Sequence, residues 1–210
     1  MTETPPDPEA QDPPPPAEEF ERLLERASES TAYKDPYNLG ILLYERGDLE
    51  GAEAAFRRAE EGGDEDGALQ VGLLLEERGD LEGAEAAFRR GDERGEAHST
   101  YHLGELLEQR GDLEGAEAAY RRGDERDDED SAYNLGRLLE RRGDLEGAEA
   151  AYRRGDEGLD GESAYSLGRL LERRGDLEGA EAAYERAKAS RDPEAPERAQ
   201  AALNALRPNG

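Results

Sequence analysis

The 210-residue chain has no cysteine, no tryptophan and one methionine. Without cysteine there can be no disulfide framework, no thiolate metal site and no thiol nucleophile. Lysine is nearly absent as well: two stand against 25 arginines, which reads as a coding bias before it reads as function. No apolar run approaches the roughly 18 to 20 residues of a membrane helix. The start, MTETPPDPEA, carries no basic segment followed by an apolar stretch, so the expected location is the cytoplasm. Bulky apolar residues are also scarce. Leu, Ile, Val and Phe make up 31 of 210 residues, about 15%, below the roughly 20% at which a highly charged chain is expected to fold. What the chain has in abundance is negative charge, with 54 acids against 27 bases and a formal charge of -27. That field repels phosphate backbones and anionic lipid, so neither nucleic acid nor a membrane is expected as a partner.

Order must then come from arrangement, and the arrangement is periodic. The decapeptide RGDLEGAEAA occurs five times, at Arg46, Arg78, Arg110, Arg142 and Arg174, with the same interval between every copy and the next. A fixed period of this size marks a solenoid, whose units are too small to bury an apolar face alone and do so by stacking. Each period holds two helical patterns. In the fourth, Leu135, Leu138 and Leu139 form one stripe, and Leu145, Ala148 and Tyr152 form another. Gly143-Asp144 stands between them: a left-handed helix end followed by an N-cap, which predicts an antiparallel hairpin. Glycines 40, 72, 104, 136 and 168 fall inside first helices at a cost of about 0.5 to 1 kcal/mol each. Close packing against Ala52, Ala84, Ala116, Ala148 and Ala180 is the expected compensation. Glu53/Arg57, Glu85/Arg89, Glu117/Arg121 and Glu149/Arg153 are i, i+4 pairs that support the second helices locally.

Leu135-Gly136, Leu139, Gly143, Ala148 and Tyr152, repeated in order and spacing over about residues 35 to 187, resemble the signature of the tetratricopeptide repeat family. The 32-residue unit is shorter than that family's usual 34 and lacks its common closing proline. AEAAFRRGDERG with LG-x-LL also looks like the Sel-type helical repeats. The expected fold is an all-α, right-handed α-solenoid of antiparallel helix hairpins. Residues 1–16, PPDPEAQDPPPP within them, are expected to be a disordered Pro-rich acidic tail. Residues 17–30 are expected to be an N-terminal capping helix, 35–190 five hairpins, and 192–207 a C-terminal capping helix.

No catalytic constellation is present: there is no GxxxxGK[ST], GxSxG or HExxH, and the carboxylates lie on helix surfaces. The expected function is a non-enzymatic protein-interaction scaffold with no cofactor. The eight RGD tripeptides read as helix ends, not adhesion loops. The tetratricopeptide resemblance implies a concave surface of first helices that holds a peptide or a partner's helix. Along it Tyr37, Leu69, Tyr101, Tyr133 and Tyr165 would form a ladder, with core packing an equally weighted reading. Tyr101, Tyr133, Asn134 and Tyr165 with Arg137, Arg141, Arg169 and Arg173 would suit an acidic peptide or a terminal carboxylate. The competing reading pairs Arg137 and Arg169 with Glu140 and Glu172 at i+3. Some chaperone-binding members of the family clamp a carboxylate; the matching positions here hold Lys34, Asn38, Gln70, His98 and His102, an agreement of two in five. One alternative is a metal-binding or regulatory protein using His98, His102 and Glu105. Another is a purely structural repeat, natural or consensus-designed, without a ligand. Charge opposes end-to-end stacking, so a monomer is expected.

Overall fold

The computed structural model describes residues 35–157 and 160–206. These form eleven helices, and no strand occurs among the described residues: α1 (Pro36–Glu45), α2 (Leu49–Glu61), α3 (Gly67–Glu77), α4 (Leu81–Arg94), α5 (Ala97–Gln109), α6 (Leu113–Asp124), α7 (Glu129–Arg142), α8 (Leu145–Glu157), α9 (Gly161–Arg173), α10 (Leu177–Ala189) and α11 (Ala195–Leu206). The chain divides into two compact units, the first ending at Leu74 and the second starting at Leu75, with the division inside α3. The tail expected over 1–16 and the capping helix expected over 17–30 lie outside the described residues.

The decapeptide explains the hairpins residue by residue. Its first Gly ends the preceding helix at φ between 78° and 83° in all five copies, a conformation that favours glycine over any residue with a Cβ. The following Asp N–H reaches back to the carbonyl of Leu43, Leu75, Leu107, Leu139 or Leu171 at 2.8 to 3.0 Å, which closes the helix end. The same Asp then caps the next helix, its carboxylate accepting the N–H of Gly51, Gly83, Gly115, Gly147 or Gly179 at 2.9 to 3.0 Å. Each such cap contributes about 1 kcal/mol. Ala52, Ala84, Ala116, Ala148 and Ala180 follow, all fully buried. The two-residue Gly-Asp joint thus turns the chain back on itself and starts the next helix with no spare residue.

The mid-helix glycines are occupied differently from the expectation. A Cβ on Gly40 would lie 2.5 Å from the Phe56 ring, and a Cβ on Gly104, Gly136 or Gly168 would lie 2.5 to 2.6 Å from the ring of Tyr120, Tyr152 or Tyr184. The close approach is between glycine and an aromatic ring, not between glycine and alanine. The physical reason is volume: one seated ring fills the space between two helices that a pair of small side chains would leave empty. Few aliphatic residues are needed because each hairpin hides one whole aromatic side chain at 0 to 2% exposure.

A second small-residue contact joins consecutive hairpins in the second unit. A Cβ on Gly91, Gly123 or Gly155 would collide with the hydroxyl of Ser99, Ser131 or Ser163. At the last junction both positions are alanine, Ala187 and Ala195, each fully buried. In that unit α5 touches α7 and α7 touches α9, so the first helices make one contiguous face. Helix α11, inside the expected span 192–207, packs on α10 and α9; the Asp192 carboxylate accepts the N–H of Glu194 and Ala195 at its start, both at 2.8 Å.

Ion pairs link one hairpin to the next. Arg122, Arg154 and Arg186 each grip the carboxylate 30 residues earlier, Asp92, Asp124 and Asp156, through Nε and a terminal nitrogen. Arg110, Arg142 and Arg174 reach the carboxylates of Glu85, Glu117 and Glu149, 25 residues earlier. The same glutamates hold Arg89, Arg121 and Arg153 at i+4, as the sequence predicts. Bidentate guanidinium–carboxylate contacts of this kind are among the stronger charged hydrogen bonds.

Candidate functional site: the first-helix face of the second unit

The face made by α5, α7 and α9 carries Tyr101, Tyr133 and Tyr165 at the same position of successive periods. All three are half-buried. Each rests against the aromatic ring of its own second helix, with centroid distances of 6.4 Å to Tyr120, 6.2 Å to Tyr152 and 5.7 Å to Tyr184. One side of each ring therefore packs inward, and each ring keeps part of its surface accessible. Burial, with a neighbouring Glu105, raises the Tyr101 phenol, and burial beside Glu162 raises that of Tyr133. Both stay neutral; the Tyr101 hydroxyl already donates to Glu105, whereas that of Tyr133 remains able to donate. Tyr165 is partly roofed by Arg198, whose guanidinium carbon lies 4.3 Å from the ring centroid. In the first unit Tyr37 sits 5.7 Å from Phe56 and its hydroxyl accepts from Gln70 at 3.4 Å; Leu69 is half-buried.

The arginines do not pair within their own helices. Arg137 and Arg141 both bind Glu108 of the preceding first helix, at 2.8 and 2.5 Å, and Arg173 binds Glu140 at 2.6 Å. The i+3 pairing of Arg137 with Glu140 does not form because Glu108, one hairpin earlier, receives two cations at once. Arg169 is exposed, and no carboxylate of the described residues pairs with it. Glu108 and Glu140 are held from the other side by buried phenols, Tyr120 at 3.3 Å and Tyr152 at 3.0 Å. Glu105, Glu108, Gln109, Tyr120, Arg137 and Arg141 line a recess of about 320 Å³. Asn134 is buried and its amide donates to the Asp130 carbonyl at 3.0 Å, so its polar end is occupied by its own helix.

The remaining sequence candidates are dispersed. Lys34 lies outside the described residues. Asn38 donates to its helix cap Asp35 at 3.2 Å. His98 is largely exposed and lies 3.5 Å from Asp128. His102 stacks on Phe88 at 5.5 Å, meets Tyr101 edge-on at 4.9 Å, and lies 3.3 Å from Glu105. The His102 hydrogen bond holds the Glu105 carboxyl below its ordinary range against the effect of burial. His98 and His102 thus turn to different carboxylates, and no group of three metal-ligating side chains is gathered among the described residues. The i, i+4 spacing puts both histidines on one face, but His102 is drawn into the aromatic cluster.

Sequence reasoning missed Glu108 and Glu140 as the hubs of this face. The signal was available, since acid and base recur 29 and 33 residues apart, a separation close to one period.

The sequence matches the tetratricopeptide repeat family over residues 17–68, 37–97, 69–132, 123–158 and 133–196. The chain belongs to that family. A search of curated proteins finds no match. Among solved structures, yeast Tom70 is 15% identical with a TM-score of 0.68 over 93% of this chain and 44% of its own. The antigen c5321 of uropathogenic Escherichia coli strains, which displays an SLR fold, is 23% identical with a TM-score of 0.66 over 90% of this chain and 44% of its own. YrrB, described as a TPR protein with an unusual peptide-binding site, is 19% identical with a TM-score of 0.53 over 87% of this chain and 96% of its own. At these identities the likeness shows the fold: an all-helical solenoid of tetratricopeptide hairpins. No helix among the described residues is long and apolar enough to cross a membrane.

Proposed function

We propose that this tetratricopeptide protein is a non-catalytic interaction scaffold that binds a peptide or helix on the α5–α7–α9 face. The observation that carries the reading is the line of half-open tyrosines beside Arg169, a guanidinium with no carboxylate partner among the described residues. The rings supply rigid contact area at low entropic cost, and Tyr133 adds a neutral hydroxyl donor. Arg169 supplies a bidentate donor for a carboxylate of the partner, whereas Arg137, Arg141 and Arg173 are already committed to Glu108 and Glu140. Acidic selection therefore falls chiefly on one residue and not on four. The description of YrrB as a peptide-binding tetratricopeptide protein agrees with a ligand of this kind.

The test is selection of binders from a displayed random-peptide library, followed by affinity measurement against wild type and Arg169→Glu. Selected peptides carrying an Asp or Glu should lose about ten-fold or more in affinity for the variant. Peptides that bind both proteins equally, or a library that yields no binders, would overturn the reading.

A further inference from the structure

Three periods of the second unit build the same acceptor, and the described residues of the chain fill only two of them. Each acceptor is a first-helix glutamate that receives a hydrogen bond from the buried phenol of its own hairpin. Glu108 receives Tyr120 and is then gripped by Arg137 and Arg141 of the next first helix. Glu140 receives Tyr152 and is gripped by Arg173. Glu172 receives Tyr184 at 2.8 Å, and no arginine of the described residues reaches it. The reason lies in the sequence: one period beyond Arg169 and Arg173 stand Ala201 and Ala205, on α11. Glu108 and Glu140 are shielded, with 14% and 22% of the side chain accessible, while Glu172 is left exposed.

We infer that Glu172 with the Tyr184 hydroxyl is a binding site for an arginine side chain of a partner protein. Glu108 and Glu140 serve as an internal template, because the same residue pair already holds guanidinium groups twice in this molecule. At Glu140 the phenol of Tyr152 takes Oε2 and Arg173 takes Oε1; at Glu108 the Tyr120 phenol shares Oε2 with Arg137 while Arg141 takes Oε1, so the phenol leaves room for a cation in both. A second copy stacked through α1 offers no cation at the matching positions of its described residues. The positions of α1 that correspond to Arg137 and Arg141 are Ile41 and Glu45. A foreign arginine is favoured by the formal charge of -27, which steers cations toward the surface. Guanidinium is preferred over ammonium because two parallel N–H donors match a carboxylate. The site rests on the repetition of the Glu–Tyr pair and stands independently of the peptide reading above.

The probe is a fluorescein-labelled, alanine-based helical peptide with two arginines at i and i+4, the spacing by which Arg137 and Arg141 share Glu108. It is titrated into the full chain and followed by anisotropy. Glu172→Gln should weaken binding about ten-fold and Tyr184→Phe about three-fold, while Glu146→Gln, which changes the net charge equally, should leave it within a factor of about two. The lysine version of the peptide should bind about ten-fold more weakly. Phe56 and Phe88 occupy the position of Tyr184 in other periods, so the phenylalanine variant has a precedent within the fold. The inference is overturned if wild type does not bind the arginine peptide. It also fails if Glu172→Gln binds like wild type, if Glu146→Gln loses as much, or if the lysine peptide binds equally.

Discussion

Two groups of carboxylates in the second unit show how differently the same charge behaves at two edges of one fold. Along the second helices, Asp92, Asp124 and Asp156 each receive a guanidinium from the next hairpin. At the N-terminal rim of the first helices, Asp128, Asp130 and Asp160 stand close together with Glu105 nearby and few cations among them. The contrast is visible in their protonation. Burial pushes the Asp92 carboxyl up, but hydrogen bonds from Arg122, Arg126 and Thr100 outweigh it and hold the group below the ordinary range. Burial and then the charges of Asp128, Asp160 and Glu105 push Asp130 up, with only His98 acting the other way. A chain with 54 acids thus places several of them as links between repeats. At the rim Asp128 and Asp160 instead cap the first helices, accepting the N–H of Ser131, Glu162 and Ser163, and the repulsion falls on Asp130.

That comparison can be broken by substitutions on either side of it. The larger effect belongs to Asp92→Asn, which leaves Arg122 and Arg126 without their shared anion and should cost about 1.5 to 3 kcal/mol at neutral pH. Thermal and urea unfolding measure it. Because the folded value lies below the unfolded one, the contribution is present above the ordinary Asp range and is lost as pH falls through the depressed value. The gap between variant and wild type should therefore close at the acid end. Asp130→Asn should have the smaller effect and the opposite sign, stabilising the fold by a few tenths of a kcal/mol, because the residue lies at the surface and solvent screens most of the repulsion. Its folded value is raised, so the repulsion acts above that value and disappears as pH falls below the ordinary range. The advantage of the variant should likewise vanish in acid. A destabilising Asp130→Asn, or a neutral Asp92→Asn, would erase the distinction between the two edges.

Much of this was legible in the sequence because it is local. The 3.6-residue spacing of Leu135, Leu138 and Leu139 and the Gly-Asp joints fix the helices and their ends within a few residues. The role of Arg110, Arg142 and Arg174 was half legible: the turn could be read, but the contact of each with a glutamate 25 residues earlier could not be read from helix spacing alone. The pattern marks the mid-helix glycines as points of close approach, yet it points to alanine as the partner because both residues recur in register. Which side chain enters the gap depends on the relative rotation of the two helices, and a one-dimensional pattern does not carry that. The isolation of Arg169 was hidden for the same reason. Its sequence surroundings repeat those of Arg137, and only the three-dimensional distances show that Glu140 is taken by Arg173 while Arg169 is left over.

The seating of each second-helix ring against a first-helix glycine is what lets so few aliphatic residues hold the hairpins, and a double-mutant cycle at Gly136 and Tyr152 tests it most directly. Unfolding free energies would be measured for Gly136→Ala, Tyr152→Ala and the double variant. Gly136→Ala alone should cost about 1 to 3 kcal/mol by overpacking against a ring 2.5 Å away. Once Tyr152→Ala has removed the ring, the same added methyl should cost nothing or stabilise the helix, a coupling of at least about 1 kcal/mol. Strictly additive effects would mean that the glycine does not make room for the ring, and would contradict the packing described here.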